Sequence, residues 1–231
     1  MDPITPAAQR KRKRGETEGN TNKQTTEPIT RVDGVVPTVV DAGLRVENMC
    51  ATANFYPLQM LDLFRVAMVF KDVELNPNFA AVIFRIRDEV ERCVVVLLVF
   101  RSGKVNIVGA RSRARCVFWL RKLRAELTTK LNIGYEKPFC TTVSMMTCSS
   151  TLPGCLDVRA FYNHNLPQSC WEPELYPGLK WTPFTDPLRK KITILAFQST
   201  RFVVTGAKNI EDCHIAALMF HKEGTNYLLG K

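Results

Sequence analysis

Histidine is scarce, with three in 231 residues, and the eight cysteines (50, 93, 116, 140, 148, 155, 170 and 213) contain no CxxC pair. Tetrahedral zinc sites usually draw two ligands from one tight turn, so that chemistry has no seed here. No metal and no other cofactor is expected. Phosphate-cradling loops are missing too, because Gly109-Ala110-Arg111 and Gly206-Ala207-Lys208 lack P-loop spacing. The longest apolar run, Cys93 to Phe100, falls short of the ~18 residues a membrane helix needs. The chain opens Met1-Asp2-Pro3 and stays polar, so no secretory leader is expected. The expected compartment is then reducing, with free thiols packed as small apolar groups. A Cys170–His164 nucleophile pair lacks a third group to orient it. These absences argue against an enzyme, a membrane partner and a small-molecule substrate.

Hydrophobic residues make up 45% and charged residues 23%, an ordinary globular balance. The net charge of +10 makes nucleic acid or acidic partners natural. Residues 1–43 hold 7 basic and 6 acidic groups, 44–138 hold 16 and 9, and 139–231 hold 9 and 7. The excess therefore lies in the first half of the folded part. Residues 1–43 read as a disordered basic tail, whose run Arg10-Lys11-Arg12-Lys13-Arg14 suits a nuclear import signal or a phosphate-binding arm.

The chain contains itself twice. Adding 97 to Phe79, Phe100, Lys104, Gly109-Ala110 and Arg111 gives Tyr176, Phe197, Arg201, Gly206-Ala207 and Lys208. A shift of 95 carries Leu61-Asp62-Leu63 onto Leu156-Asp157-Val158. Two similar repeats follow, 44–138 and 139–231, related by an internal pseudo-two-fold.

Each repeat opens with a β segment, Arg45–Asn54 and Cys140–Ser150. Leu61, Phe64, Ala67 and Met68 then stand at helical spacing. Strands are expected at Phe79–Arg87, Arg92–Phe100, Lys104–Ala110, Ile192–Phe197 and Arg201–Ala207, and closing helices at Arg113–Leu131 and Ile210–Glu223. Strands predominate in the middle of each half, so the class is α+β with an antiparallel sheet. Val94 to Val99 is apolar at every position, and such a strand needs cover on both faces. Helices supply one cover. An apolar sheet face on a basic protein suggests a nucleic-acid groove, with phosphates held by Lys and Arg around it.

Asn76-Pro77-Asn78-Phe79-Ala80-Ala81-Val82-Ile83-Phe84-Arg85-Ile86-Arg87 resembles the first-repeat signature of the TATA-binding protein family, and Ser102-Gly103-Lys104 with Gly109-Ala110-Arg111 continues it. Glu172-Pro173-Glu174-Leu175-Tyr176-Pro177-Gly178-Leu179 and Val203-Val204-Thr205-Gly206-Ala207-Lys208 resemble the second. The likeness covers about 44–223. It implies a saddle: a curved antiparallel sheet of two pseudo-symmetric repeats, with helices on the convex face and the concave face on the DNA minor groove. It implies DNA-intercalating wedges at Phe79, Phe100, Tyr176 and Phe197. The implied groove floor is Asn48, Leu98, Asn106 and Val108 in repeat one, and Met145, Leu195, Val203 and Thr205 in repeat two. Met145 stands where the family has its second Asn, and Asn106 and Val108 stand where it has Val and Thr. Arg85, Arg87, Lys104, Arg111, Arg201 and Lys208 match phosphate contacts.

The resemblance also implies partners. Arg113, Arg121, Lys122 and Arg124 would meet acidic transcription factor IIA-like proteins, and Glu172 and Glu174 a transcription factor IIB-like protein. The RNA polymerase machinery and double-stranded promoter DNA complete the set, in a nuclear or viral transcription compartment. The wedges are 21 residues apart where the family has 17. The extra residues are assigned to Asp88–Arg92 and Pro183–Lys191, as longer hairpins beside the wedges. Two readings remain: a TATA-binding general initiation factor that bends promoter DNA, or a related docking platform with weak or altered TATA specificity. An accessory domain of a nucleic-acid enzyme is disfavoured by the lack of a carboxylate cluster.

Overall fold

The computed structural model describes residues 43–183 and 192–230. The basic tail and most of Pro183–Lys191 lie outside them. In chain order the elements are β1 (Arg45–Asn54), α1 (Leu63–Val69), β2 (Val73–Leu75), β3 (Ala81–Asp88), β4 (Cys93–Phe100), β5 (Lys104–Ala110), α2 (Arg113–Leu131), β6 (Thr141–Thr151), α3 (Val158–His164), β7 (Ser169–Cys170), β8 (Leu179–Trp181), β9 (Thr193–Ala196), β10 (Arg201–Ala207) and α4 (Ile210–Gly224). The strands form one antiparallel sheet in the order β2-β3-β4-β5-β1-β6-β10-β9-β8-β7. β1 and β6, the first strands of the two repeats, meet at its centre.

The repeat is visible in the register. Met49 pairs with Ala110 and Ala51 with Ile107, while Met146 pairs with Ala207 and Cys148 with Val204, each shifted by 97. The register slips beside Gly109 and Gly206, which adopt φ of 99° and 95°. These are β-bulges that favour glycine. A Cβ on Gly109 would sit 2.1 Å from the Val94 carbonyl oxygen, so nothing larger fits.

The helix starts repeat as well. Asp62 caps α1 by accepting from the Phe64 and Arg65 N–H groups, and Asp157 caps α3 by accepting from Ala160. Ser112 and Asn209 cap α2 and α4 by accepting from Arg115 and Asp212. Each cap satisfies backbone donors that a helix start leaves open.

Alternation along the strands divides the sheet into two faces. Val95, Leu97 and Val99 are buried, and so are Ile192, Ile194 and Ala196 at the shifted positions. They join one core with Trp119, Leu120, Leu123 and Leu127 of α2 and Ala216, Ala217 and Phe220 of α4. The other face carries Val94, 56% exposed, with half-buried Val96, Leu98 and Phe100. No helix or strand of the described chain covers it.

Several expectations need correction. Leu61, Phe64, Ala67 and Met68 do not form the apolar stripe: Leu61, Val66 and Phe70 are buried, while Phe64 and Met68 are 65% and 72% exposed. The helix is only seven residues long, and its flanks supply the contacts that a full stripe would otherwise make. Phe79 precedes β3, in a turn where its N–H donates to the Asn76 carbonyl. The turn after Asp88 is not beside the wedges. Asp88 pairs with Cys93 at one end of the β3–β4 hairpin, and Ala81 pairs with Phe100 at the other. Cys116, Cys148 and Cys213 are buried as small core groups, but Cys140, Cys155 and Cys170 are exposed.

That displaced hairpin has its own anchor. Asp88 is fully buried, and its carboxylate accepts from Arg115 Nε at 2.7 Å, Arg115 Nη2 at 2.9 Å and Trp119 Nε1 at 2.7 Å. Burial works to raise its pKa. The Arg115 and Trp119 hydrogen bonds, with backbone donation, outweigh it and hold the group at about 2. Arg115 is thus committed inward rather than displayed with the basic residues of α2.

Candidate nucleic-acid interface

The uncovered face carries the sequence-predicted floor in one register. Leu98 pairs with Asn106, Val96 with Val108, and Asn106 with Thr52. Across the pseudo-two-fold, Leu195 pairs with Val203, Val203 with Ser149, and Thr205 with Thr147. Asn48 and Met145 occupy equivalent positions, because Met49 and Met146 beside them are matched by the 97-residue shift. Asn48 Oδ1 accepts from the Gly109 N–H at 2.8 Å, which turns its Nδ2 toward the Cys50 sulfur at 3.7 Å. The centre of repeat one therefore offers an amide donor. Repeat two offers a thioether, 36% exposed, with the Thr205 hydroxyl 3.8 Å from the Met145 sulfur and 3.4 Å from the Thr147 hydroxyl.

An aromatic pair stands at each outer end of this face. The Phe79 and Phe100 rings lie 6.4 Å apart at 59°, and Tyr176 and Phe197 lie 6.0 Å apart at 68°. Phe79 is 39% and Tyr176 47% exposed, so neither is a core residue. Gly178 seats the second pair: a Cβ there would come within 2.5 Å of the Tyr176 ring and 2.9 Å of the Phe197 ring. The Tyr176 hydroxyl rides on a half-exposed ring, which removes the burial penalty its polarity would otherwise carry.

The basic rim is more occupied than its sequence suggests. Arg85 pairs with Glu74 at 3.2 Å and Arg87 with Glu89 at 3.2 Å. Arg201 pairs with Glu47 at 3.5 Å, and Arg111 lies 4.0 Å from the same carboxylate while its N–H donates to Glu91. Lys104 and Lys208 have no carboxylate partner among the described residues.

On α2, Arg113, Arg121 and Lys122 are exposed around Val117 and Phe118, lining an open groove. Arg124 turns away, donating to the Lys137 carbonyl at 2.8 Å and lying 4.2 Å above the Tyr135 ring. Glu172 and Glu174 are exposed, and Leu175, which follows Glu174, is 82% exposed.

Sequence reasoning missed Cys50, Thr147, Ser149 and Glu47. Extending the 97-residue shift into β1 would have found the Cys50–Thr147 equivalence. Nothing in the sequence signals Glu47, whose arginine partners at 111 and 201 come from distant strands.

A one-sided antiparallel sheet, built from two repeats with an aromatic pair at each end, defines a two-repeat saddle as the fold class. The family model described as transcription factor TFIID (or TATA-binding protein, TBP) matches residues 43–129 and 140–223. The chain belongs to the TATA-binding protein family. It is 34% identical over 185 residues to the TATA-box-binding protein of Emericella nidulans, covering 79% of this chain and 62% of that one. It is 32% identical over 201 residues to TATA-box-binding protein 2 of Arabidopsis thaliana, covering 86% and 90%. Its match to the rat TATA box-binding protein-like 2, at 32% identity, covers 82% of this chain but only half of that relative. The solved Methanococcus jannaschii TBP superposes with a TM-score of 0.67 at 27% identity, over 79% of this chain and 98% of that one.

Proposed function

We propose that this chain is a non-enzymatic, TATA-binding-type transcription initiation factor that grips promoter DNA in the minor groove and bends it. The observation that carries the reading is the uncovered apolar sheet face with a half-exposed aromatic pair at each end. At A·T pairs the minor groove presents only acceptors, and G·C adds a guanine amino donor. Asn48 Nδ2 and the Thr205 hydroxyl can donate to the former. Leu98, Leu195, Val108 and Val203 supply apolar contact. For minor-groove proteins as a class, this family among them, unstacking a base step costs a few kcal/mol and is repaid by the extra surface that bent DNA wraps. Phe79 with Phe100 and Tyr176 with Phe197 would be the wedges, and Lys104 and Lys208 the phosphate contacts with least to release. Glu172 and Glu174 would meet a transcription factor IIB-like protein. Arg113, Arg121 and Lys122 would meet acidic IIA-like factors, nucleating assembly with the RNA polymerase machinery in a nuclear or viral transcription compartment.

Asn106 favours a second shade of the reading, a docking platform with altered TATA specificity. Its carbonyl can accept from a guanine amino group, so the half-site under repeat one would tolerate G·C. Affinity for a TATA duplex, compared with one whose A·T pairs are replaced by inosine·cytosine, tests the function. Inosine lacks the guanine amino group, so the two duplexes share a minor-groove pattern and differ in the major groove. Retained affinity supports minor-groove reading, and loss of affinity overturns it.

A further inference from the structure

We propose that Glu47 is a built-in competitor for DNA phosphate, which the open face must release to bind; the inference deepens the DNA-binding reading and rests on it. The register of β1 against β6 slips between Val46 and Asn48, and Glu47 is the extra residue. The bulge re-aims its side chain at the seam between repeats. There Oε1 accepts from the Ser149 hydroxyl at 2.6 Å, 3.5 Å from Arg201 Nη2 and 3.8 Å from Arg45 Nε, while Oε2 lies 4.0 Å from Arg111 Nη2. One carboxylate thus gathers a guanidinium from repeat two and two from repeat one, at the middle of the sheet. Arg111 and Arg201 are two of the six candidate phosphate contacts.

Carboxylate and phosphate recognise a guanidinium by the same charge-assisted hydrogen bonds, so they compete for it. A phosphate that takes Arg111 or Arg201 must displace Glu47 and then sit near its freed negative charge. The pairs are partly solvated and worth little as stabilisation, so the main consequence is the charge left beside the DNA. No symmetric partner offsets this. The position 97 residues on is Ser144, whose hydroxyl donates to the Cys50 carbonyl. An arginine already neutralised by the protein also contributes less to counterion release, which lowers the salt dependence of binding.

The test compares the full chain with Glu47→Gln, which keeps an acceptor for Ser149 and removes the charge. Binding to a TATA duplex is titrated between roughly 50 and 200 mM salt. E47Q is expected to bind about tenfold tighter at the lower salt, with a slope steeper by about one. Glu126→Gln, which frees only Lys130 on α2, a residue outside the candidate phosphate contacts, is expected to change affinity less than twofold. Unchanged affinity for E47Q overturns the proposal. So does weaker binding, the sign expected if Glu47 merely organises the arginines. Glu47→Ala serves if thermal melting shows E47Q misfolded. Heparin elution separates this inference from the reading beneath it. If the wild type shows no duplex preference, promoter recognition fails, and later elution of E47Q still upholds Glu47 as an anion competitor while co-elution overturns it.

Discussion

Repeat one presents Asn48, Cys50, Asn106 and Val108 to the open face, whereas repeat two, 97 residues on, presents Met145, Thr147, Val203 and Thr205. Behind that face the two repeats agree. Val95, Leu97 and Val99 correspond to Ile192, Ile194 and Ala196, all buried, and Gly109 and Gly206 make the same bulge. The difference separates two kinds of constraint. Positions that face the helices answer to packing, which tolerates only apolar groups of suitable size. Positions on the open face are free of that helix packing, although Asn48 also holds the Gly109 N–H. Under the proposed function, two repeats with one backbone and two floors would read two half-sites differently, and an orientation on DNA would follow from the asymmetry.

The largest expected effect breaks the comparison at a device described only in repeat one. Asp88→Ala removes the partner of Arg115 and Trp119 and is expected to cost about 3–5 kcal/mol in chemical denaturation, leaving a guanidinium without its buried carboxylate. The same group sets an acid limit. Its folded pKa, about 2, lies below its ordinary value of 3.8, so its contribution is complete above about pH 4 and fades as the pH falls toward 2. A wild-type acid melt that Asp88→Ala leaves unchanged in this window would contradict the assignment.

Next come the wedges. The double change Phe79→Ala with Phe100→Ala is expected to weaken TATA-duplex binding on the order of 100-fold, taking ~1–3 kcal/mol per stacked ring. Tyr176→Ala with Phe197→Ala is expected to do the same at the other end. Wild-type affinity in either variant would show that its pair is not a wedge. The floor changes are smaller. Met145→Asn, which makes the two centres alike, is expected to raise discrimination for A·T over G·C roughly tenfold on its half-site. Asn106→Val is expected to restore A·T preference under repeat one. Selection from a random duplex pool reads both, and a strict consensus on both halves for the wild type would refute the asymmetry.

Much of this was legible in the sequence because it repeats. The paired aromatics, Gly-Ala-basic triplets and Leu-Asp caps recur at nearly fixed spacing, and the bounds of β1, β5 and α2 follow the hydrophobic pattern directly. Legibility failed where contacts cross strands. The stripe through Phe64 and Met68 has helical spacing, yet a seven-residue helix buries Val66 instead. Arg124 reads as displayed charge but is held by the Lys137 carbonyl, and Asp88 holds its helix neighbour Arg115 inward. Glu47 reads as an ordinary surface acid, and only the β1–β6 bulge brings it to Arg111 and Arg201.

The central claim is that the open face kinks DNA at both ends. Energy transfer between dyes on the two ends of a TATA duplex measures this directly. Wild-type protein is expected to shorten the end-to-end distance, with each wedge double variant losing part of the change and the combination of both losing all of it. A duplex that stays straight at saturating wild-type protein would contradict the account.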